Sequence, residues 1–124
     1  MAMPLPRLRW NYLQFTYAAL ALLGLVVTWY WNIQFMLERG GVFSVVDFIK
    51  GGYANTASTS LSNDILVAGH AFFVWSFWEA KRLNMRGWWK YVVVTFVIAF
   101  AVAFPLFLFD RERQLAATKA GQRT

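Results

Sequence analysis

Six carboxylate residues and one histidine are the side chains able to do acid–base or ligand chemistry in this 124-residue chain, which has no cysteine. His70 stands alone inside the apolar run Ile65 to Trp78. An ionisable residue in such a run is a functional candidate by default, and its imidazole could ligate a haem iron or a chlorophyll magnesium. A single histidine cannot build a bis-histidine haem, so a second ligand would have to come from another copy or a partner. The plainer reading of His70 is a neutral ring hydrogen-bonded to a neighbouring helix, at Thr28 or Asn32. Asp64 and Glu79 flank the same run and could supply acid catalysis, protonating a double bond of an isoprenoid while aromatic faces stabilise the cation. Their structural reading is stronger: Asp64 in the first turn of a helix capped by Ser62 or Asn63, and Glu79 paired with Arg82 three residues on. At 100° per residue His70 lies about 120° from Asp64 and about 180° from Glu79, so the three do not share a helix face. There is no glycine-rich phosphate loop, no cluster with metal-ligand spacing and no Ser/His/Asp set in register. No residue is therefore assigned as catalytic and no cofactor is required, with His70 as the candidate for a pigment or haem. Asn32, Asn55, Ser58, Asp64, Glu79, Arg82, Arg111 and Glu112 form the candidate functional polar set.

The elements that must position these residues follow from composition. Hydrophobic residues make up 59% of the chain and charged residues 15%, too few to cover a water-facing surface, so the bilayer is the expected solvent. The expected fold is all-α: one integral membrane bundle over residues 1–124, with three transmembrane helices at about 12–36, 65–80 and 88–109. Pro4 and Pro6 keep the basic leader extended until about Trp10, where the first helix is expected to start. Gly40 and Gly41 stop that helix. Val42 to Lys50, with Ser44, Asp47 and Lys50 three apart, predicts a short amphipathic helix lying in the interface between the first and second spans. Tyr53 to Asn63 is rich in Ala, Ser, Thr and Asn and reads as a wet loop. In the third span Pro105 is expected to kink the last turns, and Asp110-Arg111-Glu112-Arg113 to end it as a solvated face before a frayed tail, residues 110–124.

Small and polar residues recur on one face of the first span: Gln14, Ala18, Ala21, Gly24, Thr28 and Asn32. In lipid such a stripe lets helices approach closely, and Thr95, Ala99 and Ala103 make a second one. Trp29-Tyr30-Trp31, Trp75, Trp78 and Trp88-Trp89 stand at span ends, where interfacial anchoring explains them, although they could also flank a carotenoid, quinone or chlorophyll. The net charge of +6 comes from short basic flanks beside the spans, which argues for anionic lipid headgroups and against nucleic acid. Lys and Arg divide evenly between the two sides. The concentration of Lys81, Arg82, Arg86 and Lys90 in one turn favours a cytoplasmic N-terminus and 81–90 turn, with the C-terminus outside the cytoplasmic (inner) membrane.

From Asn55 onward the chain resembles the bacterial membrane-protein family DUF2834. The resemblance rests on Ala54-Asn55-Thr56-Ala57-Ser58, on Asp64 opening a span, on Glu79 to Arg86 followed by an aromatic pair, and on Phe104 to Arg113. It implies a three-span bacterial membrane protein with no assigned activity. Asn55, Ser58, Asp64, Glu79, Arg82, Pro105, Arg111 and Glu112 occupy positions of that pattern, and His70 lies outside it. The expected role is a non-enzymatic structural or accessory subunit, packing through its small-residue faces against other membrane subunits or copies of itself. The alternative is a membrane-embedded enzyme or binder for an apolar isoprenoid, carotenoid or chlorophyll-type ligand.

Overall fold

A computed structural model describes residues 9–122, so the expectations for the leader with Pro4, Pro6 and Arg7 and for the last two residues lie outside the described part. Among the described residues there are five helices and no strand: α1 (Tyr12–Leu37), α2 (Val45–Gly52), α3 (Thr56–Arg82), α4 (Trp89–Val97) and α5 (Phe100–Gln122). One of them, α1, is long and apolar enough to cross a membrane by length and composition.

Capping sets the starts. The Asn11 side chain accepts from the Gln14 amide at 2.9 Å while Gln14 Oε1 accepts from the Asn11 amide at 3.1 Å, a reciprocal box that satisfies two otherwise orphaned donors. At the other end Gly40 and Gly41 take positive φ, which only glycine adopts without strain, and the chain turns into α2. Phe35 of α1 meets Phe43 and Phe48 at ring distances of 5.7 and 5.3 Å, and Arg39 reaches Asp47 at 3.5 Å, so α2 is pinned beneath the end of α1. The short helix expected at 42–50 is thus present as α2.

The segment 88–109 is the main correction. It is not one continuous helix: it forms two helices that double back at Ile98 and Ala99. Tyr91 near the start of α4 lies against Phe107 of α5 at 5.1 Å and donates to Asp110, while Gln114 of α5 donates to the Leu83 carbonyl at 3.0 Å. Those contacts are impossible in a straight helix, where about 1.5 Å per residue would put Tyr91 and Asp110 roughly 28 Å apart. Ring contacts fix the remaining directions. Phe72 stacks on Phe104 at 4.6 Å, Trp75 meets Phe107 at 5.5 Å and Glu79 pairs with Arg111, so α3 and α5 run parallel. Trp10 meets Phe109 at 4.7 Å, Gly24 lies against Ala101 and Trp29 reaches Ile98, so α1 runs antiparallel to α5. The start of α1, the end of α3 and the passage of α5 through Phe109 to Gln114 therefore share one end of the bundle, the near end. The far end holds the end of α1, all of α2 and the start of α3. Trp10 and Phe109 thus stand at the same end of the bundle.

Two further expectations fail. Residues 56–63 are helical, because Asn55 and Ser58 form a capping box that starts α3 seven residues before Asn63. Asp64 accordingly sits in the third turn instead of the first, and Ser62 caps nothing in α3 but donates to the Gly52 carbonyl at the end of α2. Helix α5 also continues past Phe109 as far as Gln122, so the charged segment neither ends the helix nor frays. Pro105 lies inside α5, and the break falls upstream of it, at Ile98 and Ala99.

The core lies where α3, α4 and α5 meet and is built from Phe72, Ala80, Tyr91 and Phe107, with Phe73, Met85, Trp88, Phe100 and Phe104 around them. The small-residue face of α1 packs on α5. Pro105 has no amide to give to the Ala101 carbonyl four residues back, and that carbonyl turns toward Gly24. A Cβ at Gly24 would collide with it, the carbonyl carbon standing 2.9 Å away.

Candidate functional site

The near end gathers four of the eight polar residues singled out from sequence. Arg82 donates from Nε to Glu79 Oε2 at 2.9 Å and from Nη2 to Oε1 at 2.7 Å, and Arg111 donates from Nε to the same Oε1 at 2.8 Å. Arg111 also reaches Glu112 at 3.7 Å. The Glu79 side chain is 10% exposed, Arg111 25% and Arg82 61%, so Arg111 is the enclosed partner and Arg82 the one open to solvent. Pairing with Glu79 holds the Arg82 guanidinium above its ordinary pKa, by the hydrogen bond first and by Coulomb attraction second. The local helix geometry makes this possible: Glu79 and Arg82 are three residues apart on α3, and the returning α5 delivers Arg111 from the side. Asp110, expected as a solvated residue, accepts from the Tyr91 hydroxyl and lies 3.9 Å from Lys90. The expected Glu79 to Arg82 pair is present; the solvated face is not, because the hairpin folds Asp110 and Arg111 onto α4 and α3.

The other four residues lie elsewhere. Asn55 and Ser58 cap each other at the start of α3. Asp64 is exposed on the same helix, fifteen residues and about 22 Å before Glu79, so the two carboxylates cannot act on one substrate atom. Asn32 is half-buried on α1 toward the far end. His70 does not bond to Thr28 or Asn32: its ring is exposed and Nδ1 lies 2.7 Å from the Leu66 carbonyl of its own helix. Since a carbonyl only accepts, Nδ1 carries the proton, which leaves Nε2 of the neutral ring as an outward lone pair. Among the described residues no three His, Asp or Glu side chains gather as a metal site.

Sequence reasoning missed the tryptophans that work inside the bundle. Trp29 donates from Nε1 to the Ile98 carbonyl at 3.0 Å, and Trp88 donates to Ser76 Oγ at 2.8 Å, which in turn donates to the Phe73 carbonyl at 3.3 Å. Neither is a simple interfacial anchor. Ser76, fully buried and in sequence a lone hydroxyl among Trp75, Phe77 and Trp78, was the available signal for Trp88, since a buried hydroxyl needs a partner. Trp31, Trp78 and Trp89 remain exposed.

With this geometry in view, comparison with family models gives a match to the protein of unknown function DUF2834, over residues 16–113. The chain belongs to this family. The DUF2834 match takes in Glu79, Arg82, Arg111 and Glu112 together with α4 and the part of α5 up to Arg113, so every residue of the charge cluster lies inside the matched range. Comparison with curated proteins gives no match, and comparison with solved structures gives none either.

Proposed function

We propose that the chain is a non-enzymatic integral membrane protein, a structural or accessory subunit, in which α1 and α3 cross the bilayer and the α4–α5 hairpin enters from the near end and returns. The observation that carries it is the inverted distribution of side chains. Leu22, Val26, Trp31, Val67, Val74 and Phe96 are each more than half exposed, whereas the ionic groups Glu79, Arg111 and Glu112 are drawn into contact at one end. Such an outer surface is stable against hydrocarbon and not against water. Charge supports the same arrangement. Among the described residues Arg9, Lys81, Arg82, Arg86, Lys90, Arg111, Arg113 and Lys119 belong to the near end or to the stretch of α5 beyond it, and only Arg39 and Lys50 to the far end. The even division expected for three crossings becomes a strong bias once the hairpin folds back, and a bias of that kind supports a cytoplasmic near end in a bacterial cell. The stripe on α1 is used against α5, so association with other membrane subunits or further copies falls to the exposed faces of α1 and α3.

Glu79 is held by two guanidiniums as an acceptor, which argues against a proton-donating enzyme. Extraction only with detergent, both chain ends reporting the cytoplasmic face in fusion assays, and a co-purifying membrane subunit or a defined oligomer are the expected outcomes. Release by alkaline carbonate, or a monomer that retains no companion after mild purification, would end this reading.

One observation favours a second reading. The outward Nε2 of His70 is oriented as a ligand would need it, by the bond from Nδ1 to Leu66. A stoichiometric absorption band lost in His70→Ala would establish a bound pigment or haem, and a colourless protein in both forms would exclude it.

A further inference from the structure

A recess of about 190 Å³ at the near end takes its walls from three places in the chain: Arg86 from the turn after α3, Lys90 and Tyr91 from the start of α4, and Asp110, Arg113 and Gln114 from α5. Each wall is tied in place. Met85 donates to the Ala80 carbonyl at 2.8 Å and Asn84 takes a positive φ of 56°, a left-handed residue that closes α3 and turns Arg86 into the recess wall. Gln114 fastens that turn to α5 through the Leu83 carbonyl, and the Tyr91 hydroxyl fastens α4 to α5 through Asp110. Lys90 lies 3.9 Å from the same Asp110 carboxylate. Arg39, Arg82 and Arg111 all reach carboxylates, whereas the Arg86 and Arg113 side chains bond to no other described residue. Three cations against one carboxylate leave the recess with an excess of two positive charges. The start of α4 adds to that excess, because it has no side-chain cap and no acidic residue in its first turn.

We propose that this recess binds a phosphate monoester group, gripped by the Arg86 and Arg113 guanidiniums with Lys90 as a third cation. Guanidinium forks match phosphate oxygens in pairs, and an ammonium supplies a compact point charge. A phosphate monoester carries a charge of about −1.5 to −2, which balances the excess in the recess. The volume equals that of roughly six waters at about 30 Å³ each, enough for one phosphate group with its remaining hydration. Asp110 does not repel the ligand freely, since its carboxylate is engaged by Tyr91 and holds Lys90 at the wall. The phosphate could be a lipid headgroup or a soluble ester. A lipid source rests on the membrane reading above, in which the recess lies at headgroup level beside the exposed Trp89.

The full chain in a nonionic detergent is titrated with dioctanoyl phosphatidic acid, with inorganic phosphate, and with dioctanoyl phosphatidylcholine as the control lipid, at constant ionic strength, and tryptophan fluorescence is followed. Saturable binding of phosphatidic acid is expected, weakened about tenfold by R113Q, at least as much by R86Q with R113Q together, and hardly at all by R9Q, a near-end arginine outside the recess. Saturation by phosphatidic acid alone assigns a lipid headgroup; saturation by inorganic phosphate as well assigns the free phosphate group as a sufficient ligand. No saturation by either, saturation by the control lipid alike, or equal weakening by R9Q would overturn the site, the last two in favour of diffuse attraction. Should a variant fold poorly, the unaltered protein decides: the probe that saturates should slow phenylglyoxal modification of Arg86 and Arg113 and leave that of Arg39 unchanged, and equal protection of all three would refute the recess. Release by alkaline carbonate with phosphate still bound ends the membrane reading and keeps the site. Extraction only with detergent and no phosphate bound ends the site alone.

Discussion

Glu79 accepts three hydrogen bonds from two guanidiniums, and the two donors differ in what they join. Arg82 closes a pair within α3, while Arg111 fastens α5 to α3. An exposed pair contributes little, whereas an enclosed charge-assisted bond contributes about 1.5–3 kcal/mol. Arg111→Ala should therefore lower stability by about 2 kcal/mol in a reversible denaturation in mixed micelles, and Arg82→Ala should shift the same midpoint far less. An equal effect of the two would mean that the cluster is not what holds the hairpin down. Trp29 offers a second test at this scale. Trp29→Phe keeps the ring and removes the donor to the Ile98 carbonyl, and a polar contact inside a membrane protein is worth about 1 kcal/mol. The expected signature is local: faster hydrogen exchange at 97–100 with the rest of the molecule unchanged. The Glu79 to Arg82 pair was legible from spacing, but Arg111 was not, because its partner depends on a reversal that no residue type announces.

Among the elements, α1 was the most legible, since two upstream prolines, a long apolar run and two glycines bound it on both sides. The small-residue stripe was also readable as a packing face, though not its partner. Gly24 is where that face is most tightly constrained, so Gly24→Leu should pry α1 from α5 and leave membrane insertion intact, measured as lost protease resistance at unchanged membrane-fraction yield. Insertion failing along with resistance would contradict this. The reversal at Ile98 and Ala99 was hidden because Trp88 to Phe109 is evenly apolar, without glycine or proline near the turn. Length and hydropathy are identical for a straight helix and for a hairpin. What differs is the set of distant pairs: Tyr91 with Asp110, Phe72 with Phe104, Glu79 with Arg111. The start of α3 was misplaced for a different reason. Ser, Thr and Asn favour caps and turns by bonding to nearby backbone, and here Asn55 and Ser58 spend that capacity in starting the helix earlier than a turn-rich composition suggests.

For the whole molecule, the folded-back hairpin converts an even distribution of basic residues into a one-sided one. A reporter inserted after Gly41 should face the compartment opposite to fusions at both chain ends, and adding Lys residues to the 39–50 segment should produce a mixed population before any change in stability. An unmixed population after several such additions would mean that charge does not set the orientation. The charge cluster and the orientation signal occupy the same end, so changes there must be judged by both topology and folding.

The hairpin that stops halfway has a geometric corollary. In the proposed membrane arrangement four helical segments occupy the leaflet at the near end and two rise through the other, giving the body a tapered cross-section. Tapered bodies set side by side do not tile a flat sheet: crowded copies would favour a bilayer bowed toward the side bearing the arginines, and lipids of complementary shape would relieve the mismatch where the taper is narrow.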